Sequence, residues 1–294
     1  MTYASVRRGR PGYPALLGEL HDPPALLYVR GESVEILSRP AAAIVGARSC
    51  SSYGAQVARD LSRELAAAGL LVVSGLARGI DGEAHRGALA GGGATVGVLG
   101  CGIDRDYPRA HAELARRMVE AGGLVVSEYP PGVEPAPWRF PARNRIIAGL
   151  AAATVVVEAR ERSGALITAD FALELGREVF AVPGEITSGL SAGTNDLIRQ
   201  GATPLLSAVD VLEALGVPSA PPASPAGLSP AADAALRCLS DGPRSLDELV
   251  RATALESAAA AAALTELELA GLAVAAEGLY RRTAQGRAPP LASA

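Results

Sequence analysis

The 294-residue chain contains no lysine; all 27 of its basic residues are arginine. We read the cause as a coding bias toward Ala, Arg, Gly and Pro, yet the consequence is physical. Every basic contact is a planar, permanently charged fork suited to phosphate. The net charge is −4, so the sum alone does not suggest nucleic acid and the distribution must decide. Cys50, Cys101 and Cys238 lie far apart without CxxC spacing, which argues against disulfides and zinc alike. No apolar run reaches ~18 uncharged residues, so a membrane span is not expected. Arg7, Arg8 and Arg10 precede no apolar stretch of the secretory kind. A cytoplasmic protein is expected. GxGxxG, Walker A and any recognisable Ser/His/Asp set are missing, and His21, His85 and His111 are scattered. No metal, no cofactor and no catalytic residue are therefore expected.

What is present begins with an apolar fraction of 49%, ample for a core. Short apolar runs at Ala42–Val45, Leu70–Val73, Thr95–Leu99, Leu124–Val126, Thr154–Val157 and Val179–Val182 read as strands. Helical patterns intervene near Tyr53–Ala68, Asp81–Ala90, Ala110–Ala121, Arg143–Leu150 and Leu166–Leu175. Strands apolar on both faces, alternating with helices, predict an α/β fold: an extended, doubly wound, Rossmann-like parallel sheet over residues 41–215. Residues 1–40 read as an adaptor of little periodicity, 216–228 as a linker and 284–294 as a flexible tail. Between the last two, residues 229–283 carry three helical patterns and two short strands turning at Glu277-Gly278, which predicts a small winged-helix domain.

In a doubly wound sheet ligands bind beyond the carboxyl ends of the strands, so the polar residues there matter most. The first strand runs into Gly46, Arg48 and Ser49, then Ser51, Ser52 and a helix. Helix amides, an arginine and serines make an anion site; alternatively Ser51 or Ser52 is simply an N-cap. The second strand leads through Ser74, Gly75, Arg78 and Gly79 to Asp81, a capping residue in preference to a catalytic one. Arg78 is either a phosphate contact or a surface charge. Arg109 stands just before a helix. After the fourth strand, Trp138, Arg139, Phe140, Arg143, Asn144 and Arg145 interleave aromatic and basic side chains in a chain with only 4% aromatics. Such interleaving suits base stacking beside a phosphate track, or else the two rings plug the underside of a loop. Asn144 and Arg145 read as ties between loops. The fifth strand ends at Glu158, which resembles a general base without a nucleophile or metal ligands beside it, and leads to Ser163 and Gly164.

These pieces resemble the DprA/Smf family of DNA-processing proteins. Ile44-Val-Gly-Ala-Arg48, Ser74-Gly-Leu-Ala-Arg-Gly-Ile-Asp81, Tyr107-Pro108, Phe140-Pro-Ala-Arg-Asn-Arg-Ile-Ile147, Ser163-Gly-Ala-Leu-Ile-Thr168, Val182-Pro-Gly184 and Gly193-Thr-Asn-Asp-Leu-Ile198 follow family order over about residues 13–215. The resemblance implies a single-stranded-DNA-binding recombination mediator, without enzymatic turnover, that hands strands to RecA in natural transformation. It also implies a homodimer, with single-strand-binding protein as a further partner. It makes Arg48 a phosphate contact flanked by Gly46 and Ser49, Arg109 a second basic contact, and Phe140 with Arg143 a strand-contacting pair. Leu173, Ile198 and Arg199 match the family's partner and dimer face. Many relatives carry an N-terminal helical SAM-like domain; with the adaptor at residues 1–40, either the function of that domain is missing or the chain is shortened. The third helix of the small domain, Glu256–Ala270, bears three glutamates and no arginine. Phosphate would repel it, so a protein-contact or dimer role is expected there. The competing reading is a nucleoside-monophosphate phosphoribohydrolase using Glu158 or Glu128; the PGGxGT-type loop of such enzymes is missing.

Overall fold

Every residue of the run Ala41–Val45 is buried, as a strand without a solvent face requires. Its alternate side chains enter different layers: Ala41, Ala43 and Val45 join one core, Ala42 and Ile44 another. The structure, a computed structural model, describes residues 3–218 and 227–283. The chain divides into two units, Met1–Ser219 and Ala220–Ala294.

In the first unit the elements run β1 (Ala4–Arg7), α1 (Ala15–Gly18), β2 (Leu26–Arg30), β3 (Ala41–Val45), α2 (Ser52–Ala67), β4 (Leu71–Ser74), α3 (Ile80–Ala90), β5 (Thr95–Val98) and α4 (Ala112–Glu120). They continue as β6 (Leu124–Ser127), α5 (Arg139–Leu150), β7 (Ala153–Val156), α6 (Gly164–Glu174), β8 (Glu178–Ala181), α7 (Ala192–Arg199), β9 (Thr203–Pro204) and α8 (Ala208–Ala214). One sheet orders its strands β1-β2-β6-β5-β4-β3-β7-β8-β9. From β6 to β9 all neighbours pair in parallel, whereas β1 and β2 add an antiparallel margin. The chain winds outward from β3 to β6, then returns to lay β7 on the other side of β3. The topological switch, where ligands of such sheets lodge, falls between β3 and β7. One face is covered by α1, α5, α6 and α7 through Leu17, Ile146, Ala169 and Leu197. The other is covered by α2, α3 and α8 through Leu65, Ala84 and Val211, with α4 packing beyond them through Leu114 and Met118. Each fully buried aliphatic side chain contributes ~1.5–3 kcal/mol, so these layers hold the strand ends firmly.

The six expected strands form the parallel core. Residues 1–40, read as an adaptor, supply β1 and β2 instead. Only Val6 is buried in β1, too little alternation to read as a strand. α5 starts at Arg139, four positions before the expected residue 143, with Pro141 inside its first turn. A first-turn amide has no intrahelical partner, so a proline there costs no hydrogen bond.

The second unit contains α9 (Pro230–Cys238), α10 (Leu246–Thr253), α11 (Ser257–Leu269) and the antiparallel pair β10 (Ala273–Ala276) and β11 (Leu279–Arg282). Glu277 and Gly278 both have positive φ, 54° and 77°, the geometry of a two-residue hairpin. Leu236, Leu249, Leu264 and Leu267 fill its core. This is a winged helix. The glutamates of α11 have structural uses: Glu266 accepts from the Ser229 amide and hydroxyl at 2.7 Å each, and Glu268 from the Ala275 amide at 3.2 Å. Most of the expected linker at 216–228, and the tail from 284, lie outside the described residues.

Candidate nucleic-acid interface

The switch point holds a carboxylate of the protein itself. Glu158, just past β7, is buried and accepts hydrogen bonds from the Ser51 amide at 2.9 Å and the Ser51 hydroxyl at 2.5 Å. The Ser51 hydroxyl in turn accepts from the Gly54 amide at 3.0 Å, capping α2. The Ala47 amide donates to the Glu158 carbonyl at 2.7 Å, closing the two loops on each other. The anion position at the start of α2 is therefore filled, and of the two readings of Ser51 the structure supports the N-cap. Both oxygens of Glu158 are taken up by Ser51, which leaves its carboxyl group in a structural role.

Beneath the next loops a buried arginine and a buried carboxylate face each other across Gly75. Arg143, expected to touch the strand, is 4% exposed. Its guanidinium donates to the carbonyls of Gly75, at 2.6 Å, and Val98. Asp81 accepts from the amides of Gly75 and Ala77 at 3.1 and 3.3 Å; it pins the β4–α3 loop rather than capping α3, whose N-cap is Gly79. A Cβ at Gly75 would stand 2.6 Å from both Arg143 Nη2 and Asp81 Oδ2, so only glycine passes between them. Burial pulls Arg143 down to about 10 and pushes Asp81 up, each against the attraction of the other. Arg143 and Asp81 thus hold the loops through backbone partners: the guanidinium through two carbonyls, the carboxylate through two amides. Ser74 is also out of a ligand's reach, buried and donating to the Ile44 carbonyl at 2.6 Å. Asn144, buried, donates to the Gly164 carbonyl at 2.8 Å, the loop tie read from the sequence and not a strand contact. Arg145 pairs with Glu128 at 2.5 Å.

The exposed residues make a different set. Arg48 and Ser49 are exposed after β3, Arg78 after β4 and Arg109 before α4. Gly79 has φ +72°, and a Cβ there would collide with the carbonyls of Ala47 and Arg48; this contact sets the Arg78 loop against the Arg48 loop. Among the described residues no carboxylate pairs with Arg48, Arg78 or Arg109. The Arg48 guanidinium lies 5.4 Å from the Phe140 ring centre, and Tyr107 stacks on Phe140 at 5.1 Å and 23°. A Cβ on Gly100 would sit 3.0 Å from the Phe140 ring, so the ring is held by protein and Tyr107, 41% exposed, is the outer aromatic. Arg109 follows Tyr107 by two residues. Ser163 caps α6 through the Ala165 amide at 3.3 Å, and Gly164 is exposed beside it. Gly46 is packed against Ile80 and the Glu158 carbonyl and shapes the turn from behind. Arg48, Phe140 and Tyr107 thus meet at the carboxyl edge, Arg78 and Arg109 flank them, and Arg143 supports them from below. Of these, Tyr107 enters the sequence reading only as half of the Tyr107-Pro108 motif, since nothing local shows its stacking on Phe140. The expected partner face is dispersed in character: Leu173 is exposed on α6, Ile198 is half-buried against the core, and Arg199 is tied to Asp196 on its own helix.

Residues 5–216 match the family described as DNA recombination-mediator protein A, and residues 219–278 match the DprA winged helix domain. The chain belongs to the DprA family. It is 47% identical over 204 residues to the DNA processing protein DprA of Streptococcus pneumoniae, covering 68% of this chain and 70% of that one. To the DprA of Bacillus subtilis it is 43% identical over 203 residues, covering 69% and 68%. The crystal structure of the pneumococcal DprA superimposes with a TM-score of 0.67 at 44% identity, over 72% of this chain and 74% of that chain. DprA from Helicobacter pylori, whose structure is described for its single-stranded DNA binding mode, gives 0.66 at 29% identity, over 73% and 96%.

Proposed function

We propose that this DprA-family chain binds single-stranded DNA along the carboxyl edge of its sheet and loads RecA onto it during natural transformation. The observation that carries the reading is the convergence of Arg48, Phe140 and Tyr107, with Arg78 and Arg109 unpaired by any described carboxylate. The single-stranded DNA binding mode described for the Helicobacter pylori relative supports the choice of ligand. Unpaired arginines take phosphates, and an exposed aromatic takes a base irrespective of sequence. A cation–π contact at an exposed site is worth only ~0.5–1 kcal/mol, so Arg48 can leave Phe140 for a phosphate at little cost. With few contacts per chain, a homodimer would supply avidity, and single-strand-binding protein is a partner on the same strand. The hydrolase reading loses its acids, because Glu158 holds Ser51 and Glu128 holds Arg145.

Two experiments separate the binding and loading roles. Fluorescence-anisotropy titration with oligo(dT) and a duplex of equal length should show tighter binding of the single strand; equal or tighter duplex binding sinks the ligand assignment. RecA filament nucleation on strands coated with single-strand-binding protein should start sooner with the chain present. An unchanged lag removes the loading role and leaves the binding role. Incubation with nucleoside monophosphates should release no base.

A further inference from the structure

Resting on that reading of the edge, we propose that Trp138 is a second stacking platform, which takes a base of the same strand beside the Tyr107–Phe140 pair. Trp138 is 63% exposed, an unusual position for the largest apolar side chain. It is held in place from behind: the Arg139 guanidinium lies 4.6 Å from the Trp138 ring and 5.2 Å from that of Tyr129. Arg139 also donates to the Glu134 carbonyl. The loop that delivers the ring contains Pro130, Pro131, Pro135 and Pro137, so little chain entropy remains to be lost when a ligand settles on it.

The same loop is fixed to the one bearing Tyr107 and Arg109. The Gly102 amide donates to the Val133 carbonyl at 2.8 Å, and the Gly132 amide to Asp104 at 2.9 Å. Trp138 is the N-cap of α5 and Phe140 lies in its first turn. Two residues at roughly 100° each turn the rings away from one another, to either side of the helix start. One strand can follow this edge, with a base on Tyr107, phosphates on Arg48 and Arg109, and another base on the indole. An exposed tryptophan also suits a protein partner; Arg105 is paired with Glu134 at 2.6 Å, but Arg48 and Arg109, unpaired by any described carboxylate, favour a polyanion.

Trp138 is the one tryptophan of the chain, so its emission reports on this position alone. The full chain is titrated with labelled oligo(dT) while anisotropy and tryptophan emission are followed together. Emission should be quenched along the anisotropy isotherm, and an oligonucleotide whose bases are replaced by abasic sites should leave it unquenched. Trp138→Ala should weaken oligo(dT) binding roughly tenfold, and Trp138→Phe should recover part of that. Binding seen by anisotropy with flat emission, or Trp138→Ala binding as tightly as the parent, overturns the platform and leaves the Arg48 site intact. No anisotropy change with any oligonucleotide removes the platform and the DNA-binding reading together.

Discussion

A guanidinium held by the Gly75 and Val98 carbonyls cannot also meet a phosphate, which divides the arginines of this edge into two kinds. Arg143 is buried opposite Asp81, and both are shifted toward their neutral forms. Replacing it by methionine takes the buried donor away from the Gly75 and Val98 carbonyls, so Arg143→Met should lower the unfolding free energy by ~1–3 kcal/mol. Arg48→Ala, at an exposed position, should change it by less than ~0.5 kcal/mol. Urea titrations of the two variants check this; equal midpoints would contradict the division. The residues alone do not make the distinction, since both arginines stand in motifs that the sequence places at the same sheet edge. What separates them is the close approach of Gly75 and Val98 to residue 143, a contact over 68 and 45 positions. The same holds for Phe140, whose stacking on Tyr107 brings together residues 33 positions apart in the numbering.

Among the elements, α2 shows how a fold can close its own ligand site. The start of this helix at the β3/β7 switch would accept an anion, and Glu158 supplies one from within the chain. Glu158→Ala should cost ~1–2 kcal/mol through the uncovered Ser51 amide and hydroxyl, and Glu158→Gln less; thermal melts of the two give the order. The reverse order would mean that the carboxylate is not serving the helix. The parallel strands are legible in the sequence because each is an apolar, largely β-branched run bounded by turns, and the winged helix because its helices and hairpin follow a linker composition. β1 is not legible, having a single buried residue. α8 is short enough to escape a periodicity reading, although Ser207 and Asp210 form a capping box before it. The strongest nucleic-acid window, Trp138 to Arg145, stands out as a whole, but which of its members face outward depends on how α5 begins.

Across the whole molecule, pH and salt should act on different parts. His85 is fully buried with its Nδ1 2.7 Å from the Thr95 hydroxyl; burial, reinforced by His111, brings it down to about 3. An unfolded chain would protonate it near 6.5. Between those values the unfolded state binds the extra proton, so stability should fall on acidification by up to about 1.4 kcal/mol per pH unit from this group. His85→Leu should flatten that dependence between pH 6.5 and 5, and urea midpoints across this range test it; an unchanged dependence would place the acid sensitivity elsewhere. Strand binding should instead follow the arginines of the carboxyl edge. Each phosphate contact adds about −0.7 to the slope of log affinity against log salt for single strands. The decisive measurement is that slope for oligo(dT), taken on the parent chain and on Arg48→Ala. A weaker affinity with a slope shallower by roughly one contact is the predicted result, and an Arg48→Ala slope and affinity matching the parent would contradict it.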